Sequence, residues 1–286
     1  MHLDPGPLVV VLVLAAAVLH ATWNAIAHTA EDRLVGFALI STSTFVIGAV
    51  MVLATPVPDG RDLGLAALSA AIHVAYMLLL LASYQVADLS RAYPLSRGTG
   101  VALVALASVF LPHAPLGPDV VVGTGLVVLG LVGVTLIGPP LTARDRLGIA
   151  TALATGVAIA GYTVVDGYAV HGGADVVAYA GWLFLLQSWV LPVLAVARRG
   201  RRLPAVARRQ AVAGLGGGAV SLAAYGLVLV AQTSGALAAV AALRELSIAL
   251  GVLIGAFVLH EQSARKRLLP ALVLTAGAVL LALSIG

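Results

Sequence analysis

The chain has 286 residues, of which 61% are hydrophobic and only 10% are charged, with a formal net charge of +4. Its mean hydropathy is +1.07. Soluble domains contain about 25% charged residues, so this composition excludes an ordinary soluble protein and indicates an integral membrane protein. Cysteine is absent, which excludes disulfides, thiolate catalysis and thiolate metal sites.

Apolar windows of about 20 residues, the length that crosses a bilayer, predict ten membrane-spanning helices. Their approximate bounds are 8–27, 35–54, 63–85, 92–111, 120–137, 147–166, 176–197, 211–232, 236–259 and 268–285. The first apolar run is of membrane length, and the residues before it contain no Lys or Arg. We therefore expect a retained span and not a cleaved signal peptide.

Polar residues interrupt six of these ten predicted spans. His20, Asn24 and His28 lie four residues apart on span one, so they share one helix face, with Trp23 beside it. The others are His73, Tyr76 and Tyr84 on span three, Arg97 on span four, Tyr162 and Asp166 on span six, Tyr225 and Gln232 on span eight, and Arg244 and Glu245 on span nine. We expect these six spans to line a polar cavity, whereas spans five and ten contain only isolated Ser and Thr and can face lipid.

Arg244 and Glu245 lie near the middle of the ninth predicted span, where a charge is costly and usually marks a pathway for substrate or ions. The alternative is a structural ion pair of Arg244 with Glu245 or Asp166. Arg97 could instead extend to the membrane interface, and Asp166 could be an interfacial cap.

The remaining polar residues of the predicted cavity also have structural alternatives. His20, Asn24 and His28 could form hydrogen bonds between helices without contacting a substrate. The tyrosines are ambiguous between interfacial anchors and cavity walls, and for Tyr179 we favour an interfacial anchor.

A shift of 147 positions aligns Arg97 with Arg244 and reveals an internal repeat. The same shift superimposes Gln85, Ala92, Leu103, Phe110 and His113 on Gln232, Ala239, Leu250, Phe257 and His260. Each half then holds five spans, residues 1–142 and 143–286, within one membrane domain. Because five is odd, the second half enters the membrane inverted, as in secondary transporters.

The loop charges predict the orientation. Of the 16 basic residues, 13 lie in or beside the odd-numbered loops, Arg61 lies on the opposite side, and the other two are Arg97 and Arg244. The positive-inside rule places the odd-numbered loops in the cytoplasm and both termini outside. The basic charge is thus a topology signal, and we expect no nucleic-acid partner.

No catalytic arrangement is visible in the sequence. There is no phosphate-binding glycine loop, no His-Glu-x-x-His and no nucleophile elbow. We therefore expect neither an enzyme nor a resident cofactor or metal.

Three short segments resemble the drug/metabolite transporter superfamily, and within it the EamA-type transporters. They are the run from His20 to Ala25, the run from Tyr93 to Gly98, and Leu243-Arg244-Glu245 followed by Leu259-His260-Glu261. The resemblance implies a central cavity and alternating access by rocking helix bundles.

This chain departs from the family in two features. In relatives a Gly-Glu pair often closes spans four and nine. Here the matching pairs are His113-Ala114 and His260-Glu261, so only one carboxylate remains. Relatives usually keep both termini in the cytoplasm, opposite to the orientation that the loop charges predict.

Together these features predict a secondary transporter of the bacterial inner membrane, an exporter or exchanger of a small anionic or zwitterionic metabolite. The predicted substrate ligands are Arg97, Arg244, Asn24, Trp23, His20, Tyr84, Tyr162 and Tyr225, with Glu245 or Asp166 binding a coupling proton or pairing with an arginine. One alternative is a proton-coupled exporter of cationic drugs or metabolites, which Glu245 and Asp166 would bind. The other is a membrane scaffold or an enzyme of lipid intermediates.

Overall fold

The computed structural model describes residues 7–109, 117–137, 142–232 and 243–285, and these ranges contain helices and no strand. The helices are α1 (Pro7–Thr29), α2 (Arg33–Ala54), α3 (Gly60–Val86), α4 (Leu89–Val109), α5 (Pro118–Leu136), α6 (Ala143–His171), α7 (Val176–Ser188), α8 (Val190–Arg199), α9 (Leu203–Gln232), α10 (Leu246–Leu253) and α11 (Ala264–Ile285). A 3-10 turn, Gly200–Arg202, joins α8 to α9. A π-helical turn, Ile254–Val258, extends α10.

Within the described ranges, six stretches are long and apolar enough to cross a membrane. Five of them are α1, α2, α3, α5 and α6, and the sixth is the run Val176–Val228, which contains α7, α8 and most of α9. Large apolar side chains cover the outside of the bundle, with Leu53 88% exposed and Val212 91% exposed. Long apolar helices with an apolar exterior are typical of a multi-pass membrane protein.

The first six predicted spans match α1 to α6 to within five residues at each end. The predicted span 176–197 instead consists of α7 and α8, which are separated by Trp189. Pro192 explains the break, because a proline has no N–H to donate to the carbonyl four residues earlier, here that of Ser188. In the repeat alignment, Phe110, His113 and Ala239 lie outside the described residues, as do residues 236–242 of the ninth predicted span.

The helices pack in a pattern that separates an inner group from an outer pair. α3 packs against α6 and α7, α1 against α9, α2 against α7 and α9, and α4 against α6. α10 contacts both α1 and α4. α5 and α11 pack mainly against each other and beside α4, with Val121 and Leu269 exposed on their outer faces. The inner group therefore brings together α1, α3, α4, α6, α9 and α10, the helices with most of the polar residues.

Ion pairs join the odd-numbered loops at one end of the bundle. Asp32, between α1 and α2, accepts hydrogen bonds from Arg199 Nε at 2.5 Å and Nη2 at 3.0 Å, at the end of α8. Arg267 Nη1, in the first turn of α11, lies 3.1 Å from Oδ2 of Asp88, between α3 and α4. These pairs connect distant parts of the chain across one face of the bundle.

Glu261 caps α4 at the same end. Its two carboxylate oxygens accept hydrogen bonds from the backbone N–H groups of Leu89 (2.7 Å) and Ser90 (2.9 Å). The first N–H groups of a helix have no partner within it, and the helix dipole favours a negative charge there. The preceding residue, His260, has a left-handed φ of 53° where the chain leaves the π-helical turn. The end of one helical segment thus fixes the start of another.

The close packing of α5 on α11 depends on Gly277. A Cβ atom there would lie 2.7 Å from the Gly123 carbonyl oxygen and 2.7 Å from the Val127 nitrogen, whereas a Cβ at Gly125 would meet nothing within 4 Å. Gly277→Ala should therefore lower stability by about 1–3 kcal/mol through overpacking, and Gly125→Ala should be neutral or slightly stabilising. Thermal unfolding of the purified variants in one detergent measures this, and equal melting temperatures would contradict the close approach.

The Asp32–Arg199 pair makes stability depend on pH. Hydrogen bonds from Arg199 lower the pKa of Asp32 below its usual value, which is about 3.9 in the unfolded chain. The pair therefore stabilises the fold above about pH 4, and this contribution is lost as the pH falls through the folded-state pKa. Asp32→Asn removes the charge but keeps an oxygen that can accept the Val35 N–H at the start of α2.

We therefore expect the melting temperature of Asp32→Asn to lie below that of the unmodified protein at pH 7, and the difference to narrow as the pH falls below about 4. Glu31→Gln is the matched control, because Glu31 and Arg209 form an exposed pair at 3.4 Å, and such pairs contribute little. A difference for Asp32→Asn that stays the same from pH 7 to well below about pH 4 would contradict the assignment.

Candidate functional site

A buried ion pair joins α4 to the residues directly before α10. Arg97 Nη2 donates to Glu245 Oε1 at 2.7 Å, and the two side chains are only 7% and 5% exposed. Arg97 lies eight residues after Leu89, or about 12 Å along the helix axis at 1.5 Å per residue. Its guanidinium group is therefore held inside the bundle and does not extend to the membrane interface.

Arg244 contacts the same carboxylate oxygen from the other side. Its Nε lies 3.6 Å from Glu245 Oε1, and its side chain is 35% exposed. Two guanidinium groups thus face one carboxylate, which leaves one positive charge in excess. Arg97 Nε, Arg244 Nε and Glu245 Oε2 have no hydrogen-bond partner among the described residues. Buried polar atoms are usually hydrogen-bonded, which makes these three atoms candidates for contacts with a bound molecule.

His20 and Trp23 on α1 belong to the same group of side chains. Trp23 Nε1 donates to His20 Nδ1 at 3.3 Å, with the two rings perpendicular and their centroids 5.5 Å apart. The His20 ring also lies 6.2 Å from the ring of Tyr93 on α4. The structure therefore brings these two predicted ligands to α4, four residues from Arg97 along the chain.

Asn24 and Tyr84 are bonded to each other. The Tyr84 hydroxyl on α3 donates to Asn24 Oδ1 at 2.8 Å, and Asn24 Nδ2 donates to the His20 carbonyl oxygen at 2.8 Å. Both side chains are fully buried. The Tyr84–Asn24 bond links α3 to α1 and occupies atoms that we predicted to contact substrate, so in this conformation the two side chains join these helices.

Asp166 on α6 lies in a second polar group. Its Oδ1 accepts hydrogen bonds from the hydroxyls of Ser69 on α3 (2.5 Å) and Tyr179 on α7 (2.7 Å). Among the described residues, no arginine forms an ion pair with Asp166. Arg244, which we had considered as its partner, lies beside Glu245. Asp166 thus joins three helices through neutral hydroxyl groups.

Two predicted ligands, Tyr162 and Tyr225, pack against aromatic rings of neighbouring helices. Tyr162 stacks on His73 with ring centroids 3.9 Å apart, and the ring of Tyr225 meets that of Phe184 at 5.4 Å. Tyr162 also lies four residues, about one helical turn, before Asp166 on α6. Tyr162 thus packs between α6 and α3, and Tyr225 packs between α9 and α7.

Sequence reasoning missed Ser69 and misinterpreted Tyr179. Ser69 lies four residues before His73 on the same face of α3, a spacing that could have identified it. Tyr179 was interpreted as an interfacial anchor, yet it is 1% exposed and bonded to Asp166. A tyrosine near a predicted span end can equally anchor at the interface or turn inward, so hydropathy alone does not distinguish the two.

The described residues include no group of three or more His, Cys, Asp or Glu side chains that could hold a metal ion. The polar groups assembled in the site are guanidinium, carboxylate, phenol, imidazole and indole. Such groups suit recognition of a small charged molecule by hydrogen bonds and charge.

Comparison with known proteins shows the fold alone. No protein-family model matches the chain, and no curated protein matches it. One solved structure, described only as "Crystal structure of protein", is similar with a TM-score of 0.59 over 96% of this chain and 97% of that chain, at 17% identity. Nearly the whole chain therefore shares its fold with a protein of known structure.

The shared carboxylate predicts an order of stability among charge variants. Glu245→Gln leaves two guanidinium groups facing each other without compensation and should cost about 3–5 kcal/mol, as for a broken buried pair. Arg97→Met should cost less, because Arg244 remains beside Glu245. The double variant Arg97→Met/Glu245→Gln should recover part of the loss of Glu245→Gln.

Thermal unfolding of the purified variants measures this order, with Arg244→Gln as a control that keeps the Arg97–Glu245 bond. If Arg97→Met unfolded at a lower temperature than Glu245→Gln, the shared carboxylate would not be the stabilising element.

Proposed function

We propose that this chain is a secondary transporter of the drug/metabolite transporter superfamily, of the EamA type, that moves a small anionic or zwitterionic metabolite. The observation that supports this most is the buried group of Arg97, Glu245 and Arg244, which has one excess positive charge. Charges inside a multi-pass membrane protein usually mark a path for substrate or ions. Since the sequence has no phosphate-binding glycine loop, the proposed energy source is an ion gradient or exchange.

The helix contacts support two inverted repeats of five spans each. In this proposal α7 and α8 count as one span, and α10 with the residues before it as another. Exchanging the halves turns the α3–α6 contact into α9–α1, the α4–α6 contact into α10–α1, and the α3–α7 contact into α9–α2. All of these pairs are in contact. Exchanging the halves leaves three further pairs unchanged, and each of them is also in contact: α2–α7, α4–α10 and α5–α11. This is the pattern that a two-fold axis in the membrane plane would produce.

We further propose that the end of the bundle with the odd-numbered loops faces the cytoplasm of a bacterium. Thirteen of the 16 basic residues lie in or beside these loops, and the positive-inside rule relates such a bias to the cytoplasmic side. The termini would then lie on the outer side of the inner membrane.

The state of Glu245 favours an anionic group over a cationic one. A cation exporter needs a carboxylate that is free to bind its substrate, but Glu245 Oε1 already faces two guanidinium groups. A cation arriving there would meet an excess of positive charge. The carboxylate that remains for a cationic substrate is Asp166, at the other side of the polar region.

Solute exchange in proteoliposomes tests the proposal. Vesicles that contain the purified protein are loaded with an unlabelled metabolite and should accumulate the same metabolite, labelled, from the outside solution. The metabolites tested include anionic, zwitterionic and cationic solutes. We expect Arg244→Gln to lower the rate at least tenfold without changing the melting temperature by more than a few degrees. Arg61→Gln is the matched control, because Arg61 is an exposed arginine near Gly172 between α6 and α7.

Thermal stabilisation of the detergent-purified protein selects the solutes for this assay, since a ligand at a hundred times its dissociation constant adds about 2.7 kcal/mol of apparent stability. If no solute of the panel stabilised the protein or moved across the vesicle membrane, the transporter proposal would fail.

A further inference from the structure

The end of the bundle with the odd-numbered loops has a strongly basic surface where α8 continues into α9. Residues 198–209 contain six arginines. Among the described residues, two of them form ion pairs, Arg199 with Asp32 and Arg209 with Glu31. The other four form no ion pair in those ranges and are exposed: Arg198, Arg201, Arg202 and Arg208. This surface therefore has an excess of positive charge that attracts anions.

A cleft of about 200 Å³ opens beside this surface, between α1, α2 and α9. Its lining includes the charged Glu31 and Arg209 and the apolar Ile26, Ile40 and Ala213. α1 ends at this end of the bundle, whereas α2 and α9 begin there. The three apolar residues therefore lie deeper, with Ala213 about 6 Å beyond Arg209 along α9 at 1.5 Å per residue. A cleft that is charged at the bundle end and apolar towards the middle has the same sequence of polarity as a phospholipid.

Two side chains at the charged end of the cleft have hydrogen-bonding capacity to spare. Arg209 is 71% exposed and lies 3.4 Å from Glu31, and exposed pairs of this kind contribute little to stability. Gln210 also lines the cleft and is only 9% exposed. Its Nε2 donates to the Asp32 carbonyl oxygen at 3.2 Å, but Oε1 has no hydrogen-bond partner among the described residues, whereas buried polar atoms usually have one. A phosphate can therefore replace Glu31 at Arg209, and a neighbouring hydroxyl can donate to Gln210.

We propose that this cleft binds one anionic phospholipid with a hydroxyl in its headgroup, for example phosphatidylglycerol. The phosphate diester accepts hydrogen bonds from Arg209, a headgroup hydroxyl donates to Gln210 Oε1, and the first part of an acyl chain lies beside Ile26, Ile40 and Ala213. The four unpaired arginines favour an anionic headgroup, as basic segments beside a membrane do. A zwitterionic headgroup would instead bring a cation to a surface that already has excess positive charge. The site lies on the outside of the bundle, so it is independent of the transported solute.

Lipids with identical acyl chains and different headgroups test the proposal. Native mass spectrometry of the delipidated protein in a nonionic detergent measures the affinity of the first bound lipid, for the dioleoyl forms of phosphatidylglycerol, phosphatidylmethanol and phosphatidylcholine. Phosphatidylmethanol has the same anionic phosphate diester but no headgroup hydroxyl. We expect it to bind about fivefold more weakly than phosphatidylglycerol, since one neutral hydrogen bond contributes about 1 kcal/mol, and phosphatidylcholine to bind most weakly. Inorganic phosphate in excess should not displace the lipid, because it leaves the apolar part of the cleft empty.

Neighbouring residues supply matched control variants. Arg209→Gln should weaken the binding of phosphatidylglycerol about tenfold or more, because it removes a hydrogen bond between charged groups. Arg208→Gln removes the same charge outside the cleft and should weaken binding by less than about threefold at physiological salt, which screens exposed charges. Ala213→Trp fills the cleft and should weaken the binding of all three lipids, whereas Val212→Trp, at the adjacent position that is 91% exposed, should not. Gln210→Met should abolish the preference for phosphatidylglycerol over phosphatidylmethanol.

Size-exclusion profiles and melting temperatures confirm that each variant folds, and if Ala213→Trp does not, the two arginine variants decide the question. If phosphatidylcholine binds as tightly as phosphatidylglycerol, the proposal is wrong. Equal weakening by Arg208→Gln and Arg209→Gln would show a diffuse basic surface and overturn the cleft as the site. Displacement by inorganic phosphate would assign the cleft to a soluble anion instead. The transport proposal stands or falls separately, by solute exchange.

Discussion

The hydrogen bond between Arg97 and Glu245 is the constraint that organises the interior of this protein. Neither charge is tolerated alone between apolar helices, and together they are acceptable only with short, well-directed contacts. The pair therefore requires α4 and α10 to approach closely. Gly251 on α10 makes this possible, because it lies against the ring of Tyr93 and leaves no room for a side chain. Electrostatics and packing thus fix the same helix contact.

The other polar contacts follow from this arrangement. The Asn24–Tyr84 hydrogen bond joins α1 to α3, and His20 on α1 lies beside Tyr93 on α4. On the opposite side, Ser69 and Tyr179 hold Asp166 between α3 and α7. The interior therefore contains fixed groups of both signs, with aromatic rings nearby. Fixed dipoles and charges bind a ligand without the cost of reorganising the site, and this is the physical basis for recognition of a small charged molecule here.

Hydropathy predicted the bounds of α1 to α6 because lipid exposure imposes long apolar runs. All six are helical, and α1, α2, α3, α5 and α6 are long and apolar enough to span a membrane. It could not predict the break at Trp189, since Pro192 is apolar enough to remain within a hydropathy window. The pairing of Arg97 was also beyond sequence reasoning, because its partner is 148 positions away and Asp166 is an equally plausible carboxylate. The mutual bond of Asn24 and Tyr84 depends on how α1 and α3 are rotated, which periodicity leaves open. The roles of the site residues stay predictions.

The cap that Glu261 forms on α4 rests on a residue that the internal repeat does not duplicate, because the shift of 147 positions places Ala114 at the equivalent point of the sequence. Two backbone N–H groups at the start of α4 depend on one carboxylate from a distant part of the chain. Since that carboxylate follows the π-helical turn, a change in the geometry of the turn would also release the start of α4. The two halves of the sequence therefore differ in a contact that couples one helix end to another.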